Sequence, residues 1–295
     1  MLRAKLKRPL FELNSRGKLL KLDSPLLVGI LNTSPESFSE VSSFFEKEKS
    51  VLKAQKMIAD GADWLDIGGE SSSPNSTEIS LNDELDRVIP IIEKIREVSE
   101  IWISVDTWKA EVARQSLEAG ADVINDITAL RGDAEMHKVI EEYKVPVIMM
   151  FSKDNSARTT KNDTDYLDVM DTLKSFFHER LQFADSKGIN KSKIIIDPGM
   201  GFFVSGKAKY SFEILSKISE LNELGYPILI GPSRKSFLAG VSQGSSLSFS
   251  ERDIPCISVS SIALWQGVSF IRFHEVKQGR LLIDTFKYLM KGANN

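Results

Sequence analysis

Apolar residues in this 295-residue chain gather into eight short continuous runs. Between them lie longer segments in which apolar positions recur every three or four residues. The runs cover residues 26–31, 63–67, 101–105, 122–124, 145–150, 193–196, 227–230 and 268–271. Continuous rather than alternating apolar runs of this length fit parallel strands buried on both faces. The intervening segments 49–60, 82–98, 109–119, 134–142, 164–187, 209–224 and 253–266, with a last one at 277–291, read as helices. In the second of these, Leu85, Val88, Ile89, Ile92 and Ile95 share one face. Gly61, Gly120, Gly188, Gly225 and Gly267 stand where a helix would end in a left-handed residue. Strand and helix alternating in this way build either a closed barrel or an open doubly wound sheet. Eight units within 295 residues favour the barrel, an α/β (β/α)₈ TIM barrel in a single domain.

Residues 11–22 (FELNSRGKLLKL) precede the first unit, and their Ser15-Arg16-Gly17 centre reads as a hairpin turn. The expected division is an N-terminal extension over 1–24, its hairpin plugging the barrel from below, and a barrel over 25–292. Composition changes this picture little. The chain is 42% hydrophobic and 27% charged, enough for a full core, and its net charge of −3 offers no global field to attract nucleic acid or an anionic membrane. The single cysteine, Cys256, excludes an intramolecular disulfide and reads as a small buried residue. The basic N-terminus (Arg3, Lys5, Lys7, Arg8) lacks the apolar stretch of a signal peptide, and no run approaches the ~18 residues that span a bilayer. A cytoplasmic enzyme with no membrane or nucleic-acid partner is expected.

Barrels place their chemistry at the C-terminal ends of the strands. The residues after each apolar run are therefore the informative ones. They are Asn32; Gly68-Gly69-Glu70-Ser71-Ser72-Ser73-Pro74; Asp106-Thr107; Asn125-Asp126; Met149-Met150; Asp197-Pro198-Gly199; Ser233-Arg234-Lys235-Ser236; and Arg272 with His274. Taken singly, each has an ordinary explanation as a helix cap, a turn or a solvated side chain. Helix capping does not explain why cations recur after the seventh and eighth strands. Asp106, Asn125 and Asp197 supply acceptors and an amide suited to the N–H pair of a guanidine-like ring edge. Lys235, Arg272 and His274 supply donors where many barrels hold phosphate. The expected ligand is a flat heterocycle carrying a phosphate or pyrophosphate.

The fragments GILNTSPESFS (29–39), GADWLDIGGESSSP (61–74), SVDTWKAEVA (104–113), INDI (124–127), IIIDPGMGF (194–202), GPSRKSFLAG (231–240) and IRFHEV (271–276) resemble the dihydropteroate synthase family along almost the whole chain. The resemblance implies condensation of 6-hydroxymethyl-7,8-dihydropterin pyrophosphate with p-aminobenzoate, releasing pyrophosphate, in folate biosynthesis. It places the pterin on Asp106, Asn125, Asp197 and Lys235, with Phe202 and Met149 against the ring. Asn32, Ser72, Arg272 and His274 would hold the pyrophosphate, with Mg²⁺ near Asn32. Ser73, Pro74, Phe202 and Ser236 would border p-aminobenzoate. Lys235, Arg272, His274 and Asn32 would carry the reaction, in a homodimer packed through its last helices. The loops at 32–45 and 68–80 would close over the substrates.

The sequence departs from the family pattern at Ser34 and Glu36, at Val41-Ser42, at Ser72-Ser73 where Thr-Arg is usual, and at Phe151 where His is usual. The arginine missing at 73 removes one charge-assisted contact, worth about 1.5–3 kcal/mol. Two other readings share the pterin-binding residues: a catalytically inactive pterin-binding homologue, and a methyltetrahydrofolate:corrinoid methyltransferase, which has no use for a pyrophosphate clamp.

Overall fold

A computed structural model describes residues 11–33, 40–74, 76–156, 158–242 and 246–292. Ser34 and Glu36 lie outside the described residues, as does the rest of 34–39 in the first loop expected to close over substrate, and the end of that expected loop, from residue 40, is already helical. Strands β1 (Glu12–Ser15) and β2 (Lys18–Lys21) form the N-terminal hairpin, with Glu12 opposite Lys21 and Ser15 opposite Lys18. Arg16 and Gly17 turn the chain with φ of 49° and 76°, the double left-handed geometry of a tight hairpin.

The barrel strands are β3 (Leu26–Asn32), β4 (Trp64–Gly68), β5 (Trp102–Asp106), β6 (Val123–Asp126), β7 (Val147–Met150), β8 (Ile194–Asp197), β9 (Leu229–Ile230) and β10 (Phe270–Phe273). All neighbours are parallel, in the order β8-β7-β6-β5-β4-β3-β10-β9, and a bridge from Ile196 to Ile228 closes the ring. β9 is shorter than the apolar run suggests because Pro227 has no N–H for the ladder. Around the barrel run α1 (Glu40–Ala59), α2 (Leu81–Arg96), α3 (Ala110–Ala119), α4 (Met136–Tyr143), α5 (Val169–Ser186), α6 (Ala208–Lys217), α7 (Asp253–Trp265) and α8 (Val276–Gly292). α5 starts later than its apolar period suggests. Asp168 caps it there, its carboxylate accepting from the N–H groups of Met170 and Asp171 at 2.7 and 3.0 Å. The helix expected to end at 224 tightens into a 3₁₀ turn from Ile218.

Side-chain parity divides the strands into two layers. Outward residues such as Leu65, Ile67, Ile103, Val105 and Met149 pack with the helices into the main core. Inward residues Val28, Trp64, Trp102, Val123, Ile148, Ile195, Leu229 and Phe270 fill the lower barrel, and Leu13 and Leu22 from the hairpin segment close it from below. Each of those two leucines, 1% and 4% exposed, stabilises the fold by about 1.5–3 kcal/mol through burial. With the lower half full of hydrocarbon, only the upper ends of the strands are free to carry polar groups inward.

Candidate active site

A cavity of about 900 Å³ opens at the C-terminal ends of the strands. The strand register lays an inward polar row along its wall: Asn32 stands beside Gly68, Gly68 beside Asp106, and Asp106 beside Asn125. Asn32, Asp106, Lys235, Arg272 and His274 line the cavity, as do Ser72, Ser73, Pro74, Phe202 and Ser236. Asp106 caps no helix. Thr107 and Asp133 take the N–H groups at the start of α3, at 3.2 and 2.9 Å, which leaves the Asp106 carboxylate to the site.

Arg272 is the electrostatic centre. Its guanidinium pairs with Asp66 and lies 3.3 Å from Asp106, while its Nε is buried without a partner among the described residues. Asp66 was not among the residues that sequence reasoning picked out. It is 1% exposed in the middle of β4, where Ser104 donates to one carboxylate oxygen and Asn125 Nδ2 donates to the other at 3.2 Å. Trp64 Nε1 in turn donates to Ser104 Oγ at 2.8 Å. The chain Trp64–Ser104–Asp66–Arg272–Asp106 therefore fixes the arginine from below.

Asn125 and Asp197 are inward-facing but 1% and 2% exposed, beneath the wall rather than on it. Asp197 receives only the Gly199 N–H, at 2.8 Å, among the described side-chain hydrogen bonds. Burial, with some repulsion from Asp66, pushes its carboxyl up to about 6 against the pull of that N–H, Arg272 and Lys235. The Asp106 side chain is 23% exposed to the cavity, yet protein surrounds it. Burial and the neighbouring Asp66 push its carboxyl up to about 7, opposed by Arg272 and Lys235. Lys235 stands 4.6 Å above the Phe203 ring, and burial and Arg272 bring its ammonium down to about 8. These are buried acceptors and donors short of partners, a set that a ligand's ring N–H groups and heteroatoms would complete.

β7 corrects one expectation. Met149 is fully buried in the outer layer, and Met150 is the methionine that lines the cavity, packed with Ile127 and Phe203. The run 145–150 is apolar throughout, so composition could not assign its faces. The register with Asp197 does, since Met150 pairs with that inward residue. Phe202 lines the cavity as expected, joined by Phe203. At the start of this loop, Gly199 has φ 66°, and a Cβ there would lie 2.4 Å from the Phe151 carbonyl oxygen. Only glycine allows the loop to pack so closely on the end of β7.

The loop after β9 turns through Arg234 at φ 59°, which reverses the chain between Ser233 and Lys235, both cavity-lining. Ser233 Oγ accepts the His274 backbone N–H at 3.2 Å and lies 2.9 Å from His274 Nδ1. Donation of the Ser233 proton to Nδ1 would leave the ring proton on Nε2. Burial and four cations, Arg234, Arg272, Lys53 and Lys235, hold the imidazole down to about 3, so it is neutral until an anion arrives. Ser233→Ala is expected to fold, to populate the other tautomer, and to weaken pyrophosphate binding about 3- to 10-fold. Nitrogen NMR of His274 with pyrophosphate titration checks this, and an unchanged tautomer with unchanged affinity would remove Ser233 from the site.

A family profile described as pterin binding enzyme matches residues 28–274. The chain belongs to the pterin-binding enzyme family. A dihydropteroate synthase of Streptococcus pyogenes is 37% identical over 274 residues, 93% of this chain and 99% of the relative. The solved Xanthomonas albilineans dihydropteroate synthase with 4-aminobenzoic acid superposes with a TM-score of 0.86 at 32% identity, covering 96% of this chain and 99% of the other. The same organism's enzyme in complex with 7,8-dihydropteroate gives 0.82 at 30% identity, covering 95% and 98%.

Within this pterin-binding family, two departures of the sequence now have a setting. Phe151, where histidine is usual, is 4% exposed and edge-on to Phe176 at 5.0 Å, so apolar packing has replaced a polar group. Ser73, where arginine is usual, sits in a loop whose Glu70 takes Lys109 at 2.9 Å and is also paired with Arg158 from the loop after β7. A cation 88 positions away in sequence thus anchors the second loop.

Proposed function

We propose that this protein is a dihydropteroate synthase, joining 6-hydroxymethyl-7,8-dihydropterin pyrophosphate to p-aminobenzoate. The observation that carries the reading is a single cavity lined by Lys235, Arg272, neutral His274 and the carboxylate of Asp106, with the carboxylate of Asp197 buried beneath its wall. The carboxylates suit the N–H edge of the pterin, with Asn125 and Lys235 completing the contact. Phe202 and Met150 would flank the ring. Arg272 Nε, His274 Nε2, Asn32 and Ser72 would face the pyrophosphate.

The C–O bond between the pterin methylene and the pyrophosphate breaks with its electron pair leaving on oxygen. The cations stabilise that departing charge in place and without reorganisation. The electron-poor methylene is then attacked by the amine nitrogen of p-aminobenzoate, held between Pro74, Phe202, Ser73 and Ser236, and the amine loses its proton to solvent. No side-chain nucleophile is needed. Among the described residues no cluster of acidic or histidine side chains would hold a metal by itself. Asn32 offers one amide oxygen, which fits Mg²⁺ held mainly by pyrophosphate oxygens and water. Bound Mg²⁺ would neutralise part of the leaving-group charge.

Two wider properties belong to the same proposal. Exposed Ile254, Ile262, Leu281 and Leu289 on α7 and α8, between 53% and 76% accessible, support a homodimer through these helices. Among the described residues no helix is long and apolar enough to cross a membrane, and we place the enzyme in the cytoplasm with small-molecule substrates only.

The test is pyrophosphate release by the purified protein with dihydropterin pyrophosphate, Mg²⁺ and p-aminobenzoate. Release that requires the amine and yields dihydropteroate is the expected result. Tight pterin binding without turnover would instead establish an inactive homologue. Methyl transfer from methyltetrahydrofolate to a corrinoid would establish the methyltransferase.

A further inference from the structure

The cations around the cavity are not equivalent. Arg272 is answered by Asp66 and Asp106. Arg234 pairs with Glu275 at 2.6 Å and lies 3.8 Å from Asp253. Arg252 donates to the carbonyls of Leu247 and Arg234 at 3.1 and 3.0 Å, and lies over the Phe249 ring. Lys235 feels both Asp106 and Asp197. Lys53 and Lys161 line the same cavity, and among the described residues neither ammonium makes a hydrogen bond or ion pair; of the two, Lys53 is the one whose charge acts on His274. Ala54 and Met57, packed in the core between α1 and the barrel, fix this part of the helix and so fix where Lys53 starts from. Its field reaches His274, and its own charge is disfavoured first by burial and then by Arg234, with Glu275 opposing. An exposed lysine that lines the cavity without an ion pair, beside a neutral histidine, is positioned to meet an anion.

We infer that Lys53 is a further substrate-contacting residue, its ammonium meeting the outer phosphate of the pyrophosphate held by Arg272 and His274. The inference rests on the synthase reading for the identity of that anion. It also accounts for the serine at position 73. Pyrophosphate brings several negative charges to a clamp whose two arginines, Arg272 and Arg234, are already paired with carboxylates, and Lys53 adds a positive charge without an ion pair where the second loop carries none. The contact reaches the leaving group from α1, so it acts in binding the anion and in retaining it as the C–O bond opens.

The probe is inorganic pyrophosphate, titrated calorimetrically into wild type, Lys53→Ala, Lys53→Arg and Lys56→Ala. The last is a charge control on the same helix, paired with Asp60 outside the cavity. Lys53→Ala is expected to weaken pyrophosphate, and to raise KM for the pterin pyrophosphate, by about 3- to 10-fold, with less salt dependence. Lys53→Arg should restore most of the affinity, Lys56→Ala should stay within about twofold, and 6-hydroxymethylpterin without phosphate should bind all four proteins alike. Wild-type pyrophosphate affinity in Lys53→Ala would overturn the inference even if the enzyme turns over normally. So would failure of the wild type to bind pyrophosphate. A wild type that binds pyrophosphate through Lys53 but makes no dihydropteroate would uphold the inference while sinking the synthase reading.

Discussion

Asp66→Ala is expected to lower folding stability by about 3–5 kcal/mol and to cut kcat/KM by about 10²–10³-fold in whatever protein folds. The carboxylate is 1% exposed, and its loss leaves three groups stranded: the Ser104 hydroxyl, the Asn125 amide and, most costly, the Arg272 guanidinium. Arg272 is 12% exposed and would keep only Asp106, at 3.3 Å. An uncompensated buried charge either draws in water or pulls its remaining partner toward it, and both disturb the cavity wall. Asp66→Asn separates the two effects. It keeps volume and one acceptor oxygen, so the stability loss should be smaller, while the arginine still shifts toward Asp106 and turnover still falls. With its like-charged neighbour gone, Asp106 should titrate lower than in the wild type. Urea denaturation with steady-state kinetics on both variants decides the matter. A stable, fully active Asp66→Ala would mean that Arg272 is held by the loops rather than by β4.

That Asp66 escaped sequence reasoning is instructive. Asn32, Asp106, Lys235, Arg272 and His274 all follow apolar runs and all line the cavity. Asp66 lies inside a run, in WLDIG, and reads as part of a strand. The signal was present in the parity: Trp64, Asp66 and Gly68 share the inward face, and a lone carboxylate on a face otherwise filled with hydrocarbon requires a buried cation. Parity misled at β7 for the opposite reason, since four consecutive apolar residues give no face at all and only the pairing of Met150 with Asp197 fixes it. The hairpin was legible because Arg16-Gly17 encodes its own turn, and the helix ends were legible where glycine follows. The start of α5 was not, because an apolar period continues through 164–168 while the Asp168 cap decides the boundary. What lies between distant segments is invisible in one dimension: nothing near Glu70 announces that Arg158 will pair with it.

Asp197→Asn is expected to make the unliganded protein more stable at pH 8 while reducing kcat/KM by about 10³-fold. The carboxyl titrates at 3.8 when unfolded and is raised to about 6 by burial in the folded chain. A group raised on folding favours the folded state fully below its unfolded value and loses that advantage as pH climbs through its folded value. Between pH 4 and 6 the wild type therefore gives up about 3 kcal/mol on this residue alone. Asparagine has no charge to bury, and its side-chain oxygen can still accept the Gly199 N–H. The variant's advantage should thus be absent near pH 4 and complete above pH 6, which melts at pH 4, 6 and 8 will show. The catalytic loss runs the other way because an ionised carboxylate accepts both N–H groups of a pterin edge, whereas the asparagine amide turns one acceptor into a donor. The pH profile of kcat/KM should rise between about 6 and about 7 as Asp197 and Asp106 ionise, and fall through about 8 as Lys235 loses its proton. Bound pterin supplies the missing donors, so the acid limb of kcat should lie below that of kcat/KM. If Asp197→Asn instead destabilises equally at every pH, the carboxylate is a fold element rather than a group whose buried charge awaits the pterin N–H edge.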